Sequence, residues 1–397
     1  MTGLDSRNAL LAALNRPSSR SNPYPLLSRL REASPATVGP DGTMLLVARH
    51  HDCGRLLRDP AMSSDYRRAP TLSSVPHTRM FVTLDPPDHT RLRRLVSKAF
   101  TPRAAAALEP RIRAIVAELL SAADPNRFDV VTGLAYPLPL QIICEMLGVP
   151  RRDLGLFADW SDRLTQSLDA LMFRGDLADR DRAQCEFAAY FAQLIEYRRG
   201  RDDDDLLSRL IRVEENGDRL THEELVSTLT LLLTAGHETI ANLIGNTLLA
   251  LLRHPDQFAA LRAEPALAAG AVEEALRYDP PVQLVARTAR GGYRMGDLDL
   301  PDRTLVLVLL GAAGRDPDAF PEPDRYDIKR RSGAHLAFSA GPHFCLGAGL
   351  ARLQSTVVFE AMATRLVDPE LVEVVHRPNV VMRGPSRLVI RAAGITC

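Results

Sequence analysis

The sequence predicts a mainly α-helical protein with small β-sheets, an α+β fold, and three observations carry that reading. Leu225, Leu229, Leu232, Leu233, Ile240, Leu243, Ile244 and Leu251 recur at helical spacing between Thr221 and Pro255. That helix runs about 34 residues, roughly 50 Å at the helical rise, and a helix so long and apolar must cross the centre of a large domain. Helical periodicity also dominates the rest of the chain, over 104–122, 137–147, 151–171 and 180–199. Strand signals are few: 304–310 (TLVLVLL) is the best, and 293–296 and 388–390 are shorter.

In chain order, 23–31 carries a short amphipathic pattern, 43–49 (TMLLVAR) reads as a strand and 51–58 as a helix. Residues 60–82 are polar and broken by Pro60, Pro70 and Pro76, and long irregular segments of this sort are commonly functional. Asp85-Pro86-Pro87-Asp88 opens a basic helix that ends near residue 100. The charge block 201–205 reads as a solvated loop or a helix start. Thr221 and Glu224 have the spacing of a capping box. No linker, repeat or low-complexity tract interrupts the chain, so 1–397 is expected to be one domain, with 1–20 a candidate for disorder.

Composition narrows the function. The 397 residues are 46% hydrophobic and 25% charged, ordinary for a globular protein with a large core. With 49 basic and 49 acidic residues the formal charge is zero, which argues against nucleic acid as a partner. Lys98 and Lys329 are the only lysines, an arginine bias that fits GC-rich bacterial coding. Five scattered cysteines, without a Cys-x-x-Cys, suit a reducing cytosol better than a disulfide framework or zinc knuckle. No segment has the apolar length of a signal or membrane helix, so a soluble, cytoplasmic protein is expected.

The most informative stretch is Phe338-Ser339-Ala340-Gly341-Pro342-His343-Phe344-Cys345-Leu346-Gly347. It sets one cysteine in a glycine-flanked loop ahead of an apolar-periodic helix (Leu350, Leu353, Val357, Ala361). A helix N-terminus favours negative charge on a cysteine, and glycine lets backbone approach a flat object closely. The loop therefore suits a thiolate held under a planar cofactor. Taken singly, the cysteine also fits the commoner role of a small buried hydrophobe. The stretch resembles the haem-thiolate motif of the cytochromes P450, Phe-x-x-Gly-x-x-x-Cys-x-Gly, with Phe338, Gly341, Cys345 and Gly347 in its four fixed positions.

A second motif, Ala235-Gly236-His237-Glu238-Thr239, lies mid-way along the long helix. Glycine weakens a helix there, and Thr239 can bond back to the Ala235 carbonyl and bend it. A kink with polar residues facing solvent or another helix is one reading. The other is an acid and an alcohol beside a groove, able to relay protons, and the segment resembles the P450 motif Ala-Gly-x-(Asp/Glu)-Thr. Ile240 stands where that family often has Thr or Ser. His237 reads as an exposed-turn or core histidine rather than an iron ligand.

The resemblance extends along almost the whole chain. It implies that His89, Arg93, Arg287 and His343 grip the haem propionates; read without it, His89 and Arg93 form one face of a solvated basic helix. It implies a buried network of Glu274, Arg277 and, from the later Phe320–Tyr326 stretch, Arg325. Ser339, Pro342 and Gly314 depart from common family residues.

The chain is thus identified as a member of the bacterial cytochromes P450, with haem between the long central helix and the cysteine-loop helix. The resemblance implies haem b (iron protoporphyrin IX) ligated by Cys345, oxygen activation beside Ala235, Glu238 and Thr239, and insertion of one oxygen atom into a lipophilic substrate by hydroxylation or epoxidation. Electrons would come from NAD(P)H through ferredoxin reductase and ferredoxin, the latter docking on a basic face for which Arg91, Arg94, Lys98 and Arg352 are candidates. Residues 62–82, 165–173, 231–235, 282–286 and 380–384 would border the substrate, bringing apolar Met80, Phe81, Val82, Leu168, Leu232, Val285 and Met382. A monomer in bacterial secondary metabolism or catabolism is expected. A peroxide-driven enzyme and a non-catalytic haem-thiolate sensor are the alternatives; the intact Glu238-Thr239 pair argues against the first, because a peroxide user needs no proton relay.

Overall fold

Thr221 and Glu224 close the capping box that their spacing predicts. The Glu224 amide donates to Thr221 Oγ1 (3.2 Å) and the Thr221 amide to Glu224 Oε2 (2.9 Å), which satisfies two of the donors a helix start leaves over. The structure, a computed structural model, describes residues 3–39, 44–73, 79–99, 101–173, 176–201, 203–215, 217–331 and 333–396. The expected ends at residues 43 and 100, and part of the 62–82 segment, lie outside those residues.

The helices are α1 Gly3–Leu14, α2 Tyr24–Glu32, α3 His50–Leu56, α4 Asp88–Ala99, α5 Pro102–Ala106, α6 Glu109–Ser121, α7 Pro137–Met146 and α8 Leu154–Phe173. They continue with α9 Ala178–Arg198, α10 Leu206–Arg212, α11 His222–Arg253, α12 Pro255–Ala263, α13 Ala268–Tyr278, α14 Leu310–Ala313 and α15 Ala348–Arg365. The strands are β1 Ala36–Val38, β2 Met44–Val47, β3 Met62–Ser63, β4 Phe128–Asp129, β5 Glu214–Glu215, β6 Asp218–Arg219 and β7 Leu284–Ala289. After them come β8 Tyr293–Met295, β9 Leu298–Leu300, β10 Leu305–Leu309, β11 Leu366–Val367, β12 Glu370–His376, β13 Pro385–Arg391 and β14 Gly394–Ile395.

Two expectations need correction. Residues 3–14, within the stretch named a candidate for disorder, form α1: Leu11 and Leu14 are buried, and Asn8 exchanges two hydrogen bonds with the Gly39 backbone (2.9 and 2.8 Å). The single helix expected over 104–122 is two, because Pro110 has no amide to donate and fits only the first turn of α6. The charge block ends as a helix start, one of its two expected readings: Asp205 accepts from the Ser208 amide (2.7 Å) to cap α10.

The chain divides into two compact units, 1–75, 245–345 and 370–388 in the first, 76–244, 346–369 and 389–397 in the second. The first is built on a five-stranded sheet of order β1-β2-β10-β7-β3. β10 runs parallel to β2 and antiparallel to β7, with Leu307 opposite both Leu46 and Ala286. As a central strand covered on both faces, β10 is buried at all its positions, which explains its unbroken apolar run. Val306, Val308, Leu45 and Val47 of the sheet pack with Cys53 and Leu56 of α3 and with Leu336 and Ala340. That core anchors the start of the cysteine loop.

The second unit is helical, with α4–α10, most of α11, and α15. Between α8 and α9 lies an aromatic cluster in which Phe157 meets Trp160, Phe187, Tyr190 and Phe191 at ring centroids 4.9–5.8 Å apart. α15 is tied to α6 by the Arg113–Glu360 ion pair (2.8 Å).

Candidate active site

The first unit carries the cysteine loop. Ser339 N–H bonds Leu336 C=O (2.8 Å), a 3-10 turn spans Gly341–His343, and Cys345 N–H donates to Phe338 C=O (2.9 Å). These bonds fold 338–345 into a closed loop with Cys345 three residues ahead of α15. Gly341 has φ +69°, and a Cβ there would lie 2.7 Å from Leu57 O, so only glycine lets the loop rest on α3. Ser339 also adopts positive φ (+62°), which a non-glycine residue occupies only with strain. The departure from the common residue at 339 is therefore a local conformational cost.

The cysteines differ in environment. Cys53 and Cys144 are fully buried; burial pushes both thiols up, Cys144 to about 12, which holds them protonated. Cys345 is half-buried at the closing end of its loop, beside Phe344, which is 42% exposed. Phe338 is buried, and His335 stands against it with ring centroids 5.8 Å apart. The Ala337 amide donates to His335 Nδ1 (3.2 Å), so Nε2–H is free to donate to Glu273 (3.2 Å). Sequence reasoning passed over His335; its place three residues before Phe338 was the available signal. Arg287 lies on β7, 7% exposed, with Nη1–H donating to Ala286 O (2.8 Å), and His343 is half-buried. The 282–286 and 380–384 segments meet: Val282 pairs with Met382, and the Gln283 amide donates to Val381 O (2.9 Å).

The buried ion-pair network is present with one member changed. Arg277 Nε and Nη2 donate to the two oxygens of Glu274, both at 2.8 Å, and both residues are almost fully buried. The third member is Arg330, whose Nε donates to Glu274 Oε1 (3.0 Å). Arg325 supplies only its backbone carbonyl; its side chain is 58% exposed and pairs with Glu322. The resemblance of the 320–326 stretch pointed to Arg325, but the turns over 322–330 point its side chain to solvent.

The second unit carries the acid–alcohol segment. In α11, His237 and Glu238 are fully buried, whereas Ala235 is exposed and Thr239 half-buried. Exposure of so small a residue mid-way along a buried helix leaves a patch of backbone that side chains do not cover. Thr239 Oγ1 donates to Ala235 O (2.6 Å), the back-bond the sequence predicts. His237 is a core histidine: Nε2 bonds Tyr136 O (3.2 Å) and Nδ1 meets Ser161 Oγ (3.1 Å). On α4, His89 is 2% exposed; burial, then the neighbouring Arg93 charge, depress its pKa, against an opposing effect of Asp85. Arg91, a candidate for the docking face, is instead bound to Asp218 (2.9 Å) and Glu224.

The cysteine loop fits a haem: one accessible cysteine stands in a loop that glycine alone can close, as a thiolate ligand requires. Among the described residues, no helix is long and apolar enough to cross a membrane.

The comparisons agree. The family model Cytochrome P450 matches residues 166–366. The chain is 42% identical over 388 residues to the cytochrome P450 monooxygenase PikC of Streptomyces venezuelae, covering 94% of this chain and 91% of PikC. It is 41% identical to a vitamin D(3) 25-hydroxylase of Pseudonocardia autotrophica, covering 93% of each. The crystal structure of Mycobacterium smegmatis CYP164A2 in its ligand-free state superposes with a TM-score of 0.91 at 43% identity, over 97% of this chain and all of that one. A helical fold with small sheets, a glycine-shaped cysteine loop and an acid–alcohol pair in a long helix thus agree with relatives that match almost end to end, and the chain belongs to the cytochrome P450 family as a monooxygenase, with the haem that membership implies.

Proposed function

We propose that this enzyme holds haem b through Cys345 and inserts one atom of dioxygen into a lipophilic organic molecule, by hydroxylation or epoxidation. The observation that carries the reading is the Cys345 loop, a half-buried thiol at the end of a loop that the Cys345–Phe338 hydrogen bond closes. When bound, the haem supplies the oxygen activation and transfer. His89, Arg93, Arg287 and His343 bind its propionates, while Phe338, Gly341 and Gly347 shape the thiolate side. Ala235 leaves room on the oxygen side. Thr239, whose hydroxyl now donates to Ala235 O, presents a proton donor beside that room, and Glu238 passes protons to it.

The apolar residues assigned to substrate contact favour a lipophilic molecule. Relatives named 6-deoxyerythronolide B hydroxylase, vitamin D(3) 25-hydroxylase and polyketide biosynthesis cytochrome P450 PksS support a polyketide- or vitamin D-sized substrate and a place in secondary metabolism. Electrons reach the enzyme from NAD(P)H through a reductase and a ferredoxin that docks near exposed Arg94 and Lys98 and half-buried Arg352. The enzyme works as a cytoplasmic monomer and as one domain, since neither unit is a continuous stretch of chain and α11 runs through both.

The test is an absorbance spectrum of the purified protein, reduced with dithionite and exposed to carbon monoxide. A strongly red-shifted Soret band is expected. An unshifted, globin-like band would exclude thiolate ligation, and absence of haem would overturn the assignment.

A further inference from the structure

His237 is a fully buried titratable group with no part in the proposed chemistry, yet it sits between the groove-forming Gly236 and the acid Glu238. Its two ring nitrogens reach different parts of the second unit. The Tyr136 carbonyl can only accept, so Nε2 carries a proton. With the proton on Nε2, Nδ1 accepts from the Ser161 hydroxyl of α8 (3.1 Å). The ring also stands edge-on to the Tyr136 ring, centroids 4.1 Å apart. Tyr136 Oη donates in turn to Ala158 O of α8 (3.0 Å). These three hydrogen bonds form a closed triangle joining α11, the start of α7, and α8.

Ser161 follows Trp160 directly, and Trp160 belongs to the aromatic cluster that welds α8 to α9. The aromatic cluster thus packs α8 against α9, and the triangle fastens the pair to α11 one residue from Glu238. We infer that His237 is a positioning residue that couples the placement of the α8–α9 pair to the Glu238-Thr239 segment. A displacement of α8 at Ser161 pulls on the His237 ring, and a fully buried ring fixed at both nitrogens hands that displacement to the helix backbone that carries Glu238. This rests on the haem reading above for the direction of the signal.

The test uses hydrogen-exchange mass spectrometry of the holoenzyme with and without imidazole as an iron-binding probe. In the unmutated enzyme, imidazole is expected to slow exchange at least twofold over 231–242 of α11 and also over 154–165 of α8. The double variant Ser161→Ala/Tyr136→Phe, which removes both contacts of the triangle to α8, and His237→Leu, which removes both contacts of α11, should keep the first response and lose the second. His237→Gln, whose amide can still donate to Tyr136 and accept from Ser161, should restore it. The triple variant S161A/Y136F/H237L should match H237L, as expected of groups acting through one set of contacts. A merely structural role would speed exchange generally yet leave the imidazole response of α8 in place. Persistence of the α8 response in S161A/Y136F, or its absence in the unmutated enzyme, overturns the inference. Should H237L not fold, S161A/Y136F alone decides. Failure of imidazole to shift the Soret band would instead count against the haem assignment, and is read from the spectrum before exchange begins.

Discussion

Replacing Arg277 by lysine tests the buried network most directly. All five guanidinium donors are used: Nε and Nη2 on Glu274, Nη1 on Gly314 O (2.7 Å) and Pro323 O (2.8 Å), and Nη2 again on Arg325 O (3.0 Å). Lysine keeps the charge but offers three donors from one atom, so at least two of the five bonds are lost, although Arg330 still donates to Glu274 Oε1 and Arg325 O. At about 1.5–3 kcal/mol for each charge-assisted bond, R277K should cost about 3–6 kcal/mol, much of a typical total of about 5–15 kcal/mol. Arg330→Ala removes the second cation on Glu274. Its backbone contacts lie near solvent and can be replaced by water, which leaves the charge-assisted bond, about 1.5–3 kcal/mol. Arg325→Ala removes an exposed side chain paired with exposed Glu322 and should cost less than about 0.5 kcal/mol. Urea unfolding followed by circular dichroism, at constant denaturant slope, ranks the three, and haem retained after gel filtration should fall in the same order. An R325A loss equal to that of R330A, or an R277K variant within about 1 kcal/mol of the parent, would refute the donor accounting.

Four further outcomes are expected. Thr239→Ala should retain haem but divert reducing equivalents to hydrogen peroxide; undiminished product per NAD(P)H would remove Thr239 from its role. Arg352→Glu should slow reduction by ferredoxin yet leave a peroxide-driven reaction unchanged, and equal loss in both assays would move the docking face elsewhere. Ser339→Gly relieves the positive φ and deletes a buried hydroxyl that finds no partner, so the urea midpoint should rise by the equivalent of about 1 kcal/mol; a lower midpoint would contradict the strain. His376 is lowered from 6.5 to about 4, by burial first and then by the Arg383 charge. Folding therefore holds it neutral where the unfolded chain would protonate it, and stability is lost as pH falls from about 6.5 towards 4. Discounted for partial exposure, this is about 1 kcal/mol at pH 5. His376→Gln should lose less stability than the parent between pH 7 and 5, and parallel losses would exclude the histidine.

Local chemistry made much of this protein legible in one dimension. The capping box at Thr221 and Glu224, the back-bond from Thr239 to Ala235, and the cysteine three residues before its helix are set by neighbours a few positions apart, so spacing alone announces them. The apolar run of β10 disclosed a strand buried on both faces, whereas β12 escaped notice because its half-exposed pattern gains meaning only from pairing. Tertiary structure decided the rest. Glu274 could have met either Arg325 or Arg330, and only the path of 322–330 turns the second one inward. Arg91 reads as a surface charge until Asp218 and Glu224, more than a hundred residues away, arrive beside it. His237 finds its partners at Ser161 and Tyr136 in the same way. A side chain's partners across such distances follow from which segments the core brings together. That is a property of the packed whole, and no periodicity within the segment records it.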